Sequence, residues 1–331
     1  MDIKINGSRI KNLLSYDWVK IFIAIVAGII AWSLLFTTLG TRLAKGQDFT
    51  FHVYENVYTV GSNEKNDKIL NDIKNKGYFS YDLLKLSSST ITSGGQYTAS
   101  YMLSLKMSTQ DGDVLIISDG RAEKDKEKQK TDLPHIINSY YLCDMYTLLE
   151  SARRYCVGNG FIVEKDGNWY VNEPVVENYF LNTRIKGKGK GNYRKTYVTS
   201  AQKAEGVKLE IARIKTLYQN YLYVSNAIEK AKQAGNDFLW YGELYKYDEN
   251  NKVIEDKTEI RPYGIDLYKL NQPFLKDGAP NVEDTWYTYA NGKPTAEGLV
   301  VCVFDFRNYQ IDLQYETLGF LRYIIETYGR Y

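Results

Sequence analysis

The chain has 331 residues, 44% hydrophobic and 25% charged, with a net charge of +2. That balance excludes a disordered chain, and acids and bases so evenly mixed present no basic face, so no nucleic-acid partner is expected. Three cysteines leave at least one unpaired, which excludes a disulfide-stapled scaffold.

The first element is the run at 19–39, VKIFIAIVAGIIAWSLLFTTL, whose only charge is Lys20. Twenty-one helical residues rise about 31 Å, the thickness of a bilayer's hydrocarbon core, so a transmembrane helix is expected. A cleaved signal peptide would have a shorter apolar core and small residues near Thr41-Arg42-Leu43-Ala44. Lys4, Arg9, Lys11 and Lys20 on the short N-terminal flank place 1–18 in the cytoplasm under the positive-inside bias. A linker at 40–48 then leads to an extracellular domain, which makes the chain a single-pass protein of the cell membrane with the lipid bilayer as a partner. The sole N-x-S/T sequon, Asn6-Gly7-Ser8, falls on the cytoplasmic side. An outer domain without sequons or paired cysteines fits a bacterial surface.

Beyond the linker, FTFHVYENV (49–57) alternates as a strand, and Ile69, Leu70 and Ile73 recur at helical spacing until Gly77. YDLLKLS (81–87) reads as a second strand, and QYTASYMLSLKM (96–107) as a helix with Tyr97, Tyr101 and Leu105 on one face. Asp111-Gly112 turns into DVLIIS (113–118), a continuous apolar run of the kind found in a buried parallel strand. This is β-α-β-α-β, the opening of an α/β domain. A charged surface segment (121–132) precedes a helix expected over 134–156 and a hairpin at 161–173 turning at Asp166-Gly167-Asn168. A Gly/Lys-rich tip (185–192) is followed by the longest helix, 201–234, ended by Gly235. A hairpin over 238–263, turning at 249–251, a buried strand at 298–306 and a helix at 312–328 close the chain.

The residues supply little for catalysis. His52 and His135 have no ligand partner at metal spacing, so no metal is expected. No G-x-S-x-G, H-E-x-x-H or G-x-G-x-x-G motif occurs, and Cys143, Cys156 and Cys302 all lie in apolar segments. Asp248-Glu249-Asn250 lacks the later ligands of a calcium loop. Neither an enzyme nor a cofactor is expected.

The opening β-α-β-α-β, ending in Gly112-Asp113-Val114-Leu115-Ile116-Ile117-Ser118, resembles the first lobe of type 2 periplasmic solute-binding proteins. The resemblance covers 49–120 and extends loosely to Tyr263-Gly264-Ile265-Asp266-Leu267 and 298–306. It implies an α/β fold in two lobes behind the transmembrane helix: lobe 1 from 49–120 and about 262–331, lobe 2 from about 121–261. Ligands of open α/β sheets bind beyond the carboxyl ends of parallel strands. That rule selects Tyr54, Glu55 and Asn56 after the first strand, Ser87 and Ser88 after the second, and Ser118 and Asp119 after the third, with Trp240 and Tyr241 as aromatic walls from lobe 2. The expected function is a membrane-anchored, non-enzymatic, solute-binding-like protein taking a sugar or peptide and serving a membrane permease or envelope complex. The alternative is a structural or accessory subunit of a bacterial envelope complex that has lost its ligand.

Overall fold

The structure, a computed structural model, describes residues 18–20, 22–33, 46–55, 57–59, 64–94, 97–121, 131–186, 196–246, 254, 258–271, 287–290, 294–306 and 315–329. The chain divides into two compact units, Met1–Leu43 and Ala44–Tyr331.

In the first unit, helix is described at 18–20 and 22–33. The twelve consecutive helical residues described rise about 18 Å, whereas crossing a hydrocarbon core takes about 30 Å. Among the described residues no helix is long and apolar enough to cross a membrane. This overturns the transmembrane helix expected at 19–39. With it go the single-pass placement in the cell membrane, the cytoplasmic N-terminus and the extracellular domain. Positions 34–39 of that run lie outside the described residues.

The second unit opens with β1 (Asp48–Tyr54), β2 (Val57–Thr59), α1 (Glu64–Asn75), β3 (Lys85–Ile91), α2 (Ala99–Thr109) and β4 (Val114–Ser118). A helical middle follows: α3 (Leu133–Asn138), α4 (Met145–Arg153), the hairpin β5 (Ile162–Lys165) and β6 (Asn168–Val171), α5 (Glu173–Tyr179) and α6 (Ser200–Gln233). Single π-helical turns extend α4 to Gly158 and α5 to Arg184. The chain then forms β7 (Leu239–Leu244), β8 (Glu259–Asp266), the one-turn α7 (Leu267–Leu270), β9 (Tyr287–Ala290), β10 (Pro294–Thr295), β11 (Leu299–Val303) and α8 (Tyr315–Tyr328).

Six of these strands make one mixed sheet in the order β3-β1-β4-β11-β8-β7. β1 is parallel to both β3 and β4, so the opening β-α-β-α-β is a parallel unit. β11 is antiparallel to β4 and to β8, and β7 is antiparallel to β8. The fold is therefore mixed α/β around one sheet, in place of a transmembrane helix followed by two lobes. β7, which the two-lobed reading assigns to lobe 2, is an edge strand of this same sheet.

Period-two alternation splits the central strands between two cores. On one face Phe49, Phe51 and Val53 of β1, Val114 and Ile116 of β4, and Leu299, Val301 and Val303 of β11 pack with residues of α1, α4, α6 and α8. On the other, Leu115, Ile117, Val300 and Cys302 meet Leu103 and Met107 of α2 and Leu133, Ile136 and Ile137 of α3. The continuous apolar runs in β4 and β11 follow directly from burial on both faces.

Several expected elements are displaced. The second strand lies at Lys85–Ile91, four residues later than 81–87, which leaves Tyr81 and Asp82 in the preceding loop. The helix over 134–156 is two helices, because Tyr140 takes a left-handed φ of 58° and Asp144 starts α4 as its N-cap. On α2 the buried face is Ala99, Leu103 and Met107, whereas Tyr97, Tyr101 and Leu105 are exposed. All three cysteines are buried free thiols. The turn at 249–251 and Asn56 lie outside the described residues, as does most of the Gly/Lys tip.

Candidate functional site

Strand direction decides where functional side chains gather. β11 runs against β4, and β8 runs against β11, so β8 points the same way as β1, β3 and β4. The carboxyl ends of four strands, at Tyr54, Ile91, Ser118 and Asp266, thus emerge along one edge of the sheet, where β11 and β7 begin.

At the β1/β4 crevice the chain fills the space with its own hydrogen bonds. The Tyr54 hydroxyl donates to Asp132, whose other oxygen accepts from Ser100 Oγ at 3.1 Å. Burial, then the Asp132 carboxylate, pushes the Tyr54 phenol well above its ordinary pKa. Glu55 accepts from Ser93 Oγ at 3.0 Å. Ser87 lies 2.7 Å from Thr50 Oγ1 across the β1/β3 pair, and Ser88 sits in register with Phe51. Both serines are mid-strand, a consequence of the shifted β3, and so stand away from the carboxyl edge. Ser118 Oγ accepts the Gly120 N–H at 3.0 Å, closing the turn after β4.

Asp119 and Trp240 do come together. The Trp240 indole N–H donates to Asp119 Oδ2 at 3.0 Å, and Asp119 Oδ1 accepts the Arg121 backbone N–H at 3.0 Å. Arg121 Nε lies 3.5 Å from Asp119, while its terminal nitrogen donates to Asp266. Asp266 is fully buried, and its second oxygen caps α7 by accepting the N–H groups of Tyr268 and Lys269, each at 3.1 Å. Burial raises the Asp119 pKa, against the opposing pull of the Arg121 N–H and charge and of the Trp240 bond. Burial also works against the Arg121 charge, but Asp266 and then Asp119 outweigh it and hold the guanidinium more firmly protonated than usual. Tyr241 joins neither Asp119 nor Trp240 and instead donates to Asp237 Oδ2 at 2.7 Å.

In front of Arg121 lies a cleft of about 390 Å³ lined by Arg121, Gly235, Asn236, Asp237, Tyr268, Lys269 and Glu297. Its walls come from four segments: the turn after β4, the end of α6, the start of α7 and the turn before β11. Asp237 is fixed by its bonds to Tyr241 and to the Leu239 N–H at 3.0 Å. The sequence reasoning missed Arg121, Asp237, Asp266, Lys269 and Glu297. The same strand-end rule would have reached Asp266 had the direction of β8 been known.

Little else here suits chemistry. Burial pushes the Cys156 thiol up to about 12 and raises Cys143 and Cys302 as well, so none is a ready thiolate. Ser89 Oγ lies 2.7 Å from His52 Nδ1, but this contact sits near the opposite end of β4, where His52 Nε2 binds the Asp111 carbonyl at 2.9 Å. Among the described residues no group of histidine, cysteine and carboxylate side chains is arranged to hold a metal.

No family model, no curated protein and no solved structure matches this chain, and nothing in these comparisons identifies the type 2 solute-binding fold.

Proposed function

We propose that the protein is a non-enzymatic binding protein for a small polar solute, held in the cleft beside Arg121. The observation that carries this reading is the cleft itself, at the carboxyl edge of the sheet, with polar and charged side chains converging on about 390 Å³. That position is where open α/β sheets bind ligands, and the volume lies in the range of small-molecule sites. The Asp119–Arg121–Asp266 bonds hold one wall rigid, which spares a ligand the cost of ordering it.

Thermal unfolding of the full chain against sugars, peptides, amino acids and inorganic ions tests the reading. A true ligand at 100 times its dissociation constant adds about 2.7 kcal/mol. No shift from any compound would instead support a structural or accessory subunit without a ligand. One observation favours that second reading: Tyr54, Glu55, Ser87 and Ser118 are all committed to bonds within the chain.

A further inference from the structure

The two edges of the six-stranded sheet, β3 and β7, are finished differently. At β7 the register shifts between Trp240 and Tyr241, an irregularity of the kind that blunts an edge. Asn138 of α3 takes up more of that strand: its Nδ2 donates to the Glu243 carbonyl at 3.3 Å, and its Oδ1 accepts the Tyr245 N–H at 2.7 Å. The Leu239 N–H is met by Asp237 at 3.0 Å. β3 has none of these devices. Its seven residues, KLSSSTI, run in unbroken register with β1 and include no proline, and their one charge is Lys85 at the start.

Backbone bonds fix which groups of β3 face outward. The Thr50 carbonyl accepts the Asp113 N–H at 2.7 Å, on the β4 side of β1. The Gln47 carbonyl accepts the Lys85 N–H at 3.2 Å, on the β3 side. Backbone groups along a strand turn to alternate sides from one residue to the next. Lys85, Ser87 and Ser89 therefore bond toward β1, while Leu86, Ser88 and Thr90 turn their N–H and C=O groups away from it. Among the described residues nothing bonds to those outward groups. Such a row is a template for another strand.

The residues themselves say which strand fits. Leu86-Ser87-Ser88-Ser89-Thr90 reads almost alike in both directions. An antiparallel copy centred on Ser88 sets serine against serine and Leu86 against Thr90, with no like charges opposed. The ends are complementary as well. Lys85 is exposed at one end, and Glu55, which accepts from Ser93 Oγ at 3.0 Å, follows the residue paired with Ile91 at the other. A two-fold axis through Ser88 carries Lys85 of each copy to the Glu55 end of the other. We infer that two copies of the chain join edge to edge through β3, antiparallel and centred on Ser88, so that their sheets become one. Leu86, Ser88 and Thr90 then exchange both backbone bonds with Thr90, Ser88 and Leu86 of the partner subunit. The association goes beyond solute binding and does not depend on it.

Sedimentation velocity of the full chain over a range of concentrations is the test. A reversible monomer–dimer equilibrium is expected, with amide exchange at Leu86, Ser88 and Thr90 slowing as the dimer fills. Ser88→Pro removes an outward N–H that the sheet does not use, and should weaken dimerisation by roughly tenfold or more. Lys85→Glu and Glu55→Lys should each weaken it severalfold, and combining the two should restore it. That rescue separates a contact between copies from a loss of folding, and it decides the matter if Ser88→Pro unfolds. A monomer at every concentration would overturn the inference, including one that instead takes a foreign extended peptide along β3. A dimer that survives Ser88→Pro and both charge reversals would place association on another surface and overturn it equally.

Discussion

At the scale of single residues, the sharpest constraint is the contact between His52 and Gly112. His52 is fully buried in β1, and burial lowers its pKa, so the ring is neutral. A carbonyl oxygen only accepts, so the bond from Nε2 to the Asp111 carbonyl assigns the hydrogen to Nε2 and leaves Nδ1 to accept from Ser89. The imidazole thus ties three segments together: β1, β3 and the turn into β4. Gly112 lies flat against it at φ +112°, and a Cβ there would come within 2.5 Å of the ring. Gly112→Ala therefore meets backbone strain and a clash with a ring that both neighbours hold in place. A loss of about 2–4 kcal/mol is expected, read as a lower denaturant midpoint with an unchanged slope. A midpoint within experimental error of the parent would show that the turn relaxes freely and that the His52 ties are not rigid.

At the scale of elements, the caps explain both what the chain makes and where sequence patterns mislead. Asp144 is buried and accepts the Tyr146 and Thr147 N–H groups at 3.1 Å each, as well as the Thr147 hydroxyl. Asp144→Ala removes those bonds from the start of α4 and is expected to cost about 1–2 kcal/mol in chemical denaturation. Asp144→Asn should recover part of that loss, which separates the cap from the nearby Arg261 charge. This cap is also what divides the expected helix at 134–156, because apolar spacing continues across the break while hydrogen bonding does not. Elements buried on both faces were legible: DVLIIS and LVVCV become β4 and β11, and the stepped apolar residues of α6 lie between Thr199, its capping-box residue, and Gly235. β3 was harder to place, since its KLSSSTI is a polar edge strand preceded by Leu83-Leu84, a pair that mimics one. Tyr97, just before α2, stacks on Tyr101 in solvent, while the smaller Ala99 and Leu103 of α2 face the core. The sequence selects Asp119 from the end of β4 and Trp240 as the wall of a second lobe, and the two meet because β7 belongs to the same sheet as β4. Arg121, Asp237 and Lys269 were not legible, because the antiparallel insertion of β11 between β4 and β8 is a long-range pairing that no local pattern records.

At the scale of the whole molecule, a buried charge network joins parts of the chain far apart in sequence. Arg184 lies 2.7 Å from Asp82 and 3.0 Å from Glu210, and Glu210 lies 3.1 Å from Arg213. Glu316, at the start of α8, is 2% exposed and accepts the Ser80 N–H at 3.3 Å. Three carboxylates face two guanidinium groups, so a proton on Glu316 balances the set. Burial, then the Asp82 charge, raises the Glu316 pKa from 4.5 to about 8, with Arg213 opposing. The folded chain consequently keeps this proton up to about pH 8, whereas the unfolded chain releases it near 4.5. Stability from this group is complete below 4.5, falls by about 1.4 kcal/mol per pH unit across that window, and is gone above the folded value. Glu316→Gln holds the neutral form at every pH and should flatten this dependence. The variant's Tm, relative to the parent, should therefore climb steadily from pH 5 to 8 and level off beyond. Comparing the two proteins cancels the other titrating groups, including Asp119, whose raised pKa slopes the same way, and Asp111, whose lowered pKa slopes the opposite way. Parallel curves across the window would mean that Glu316 is ionised in the folded state and that the network carries a net negative charge in its core.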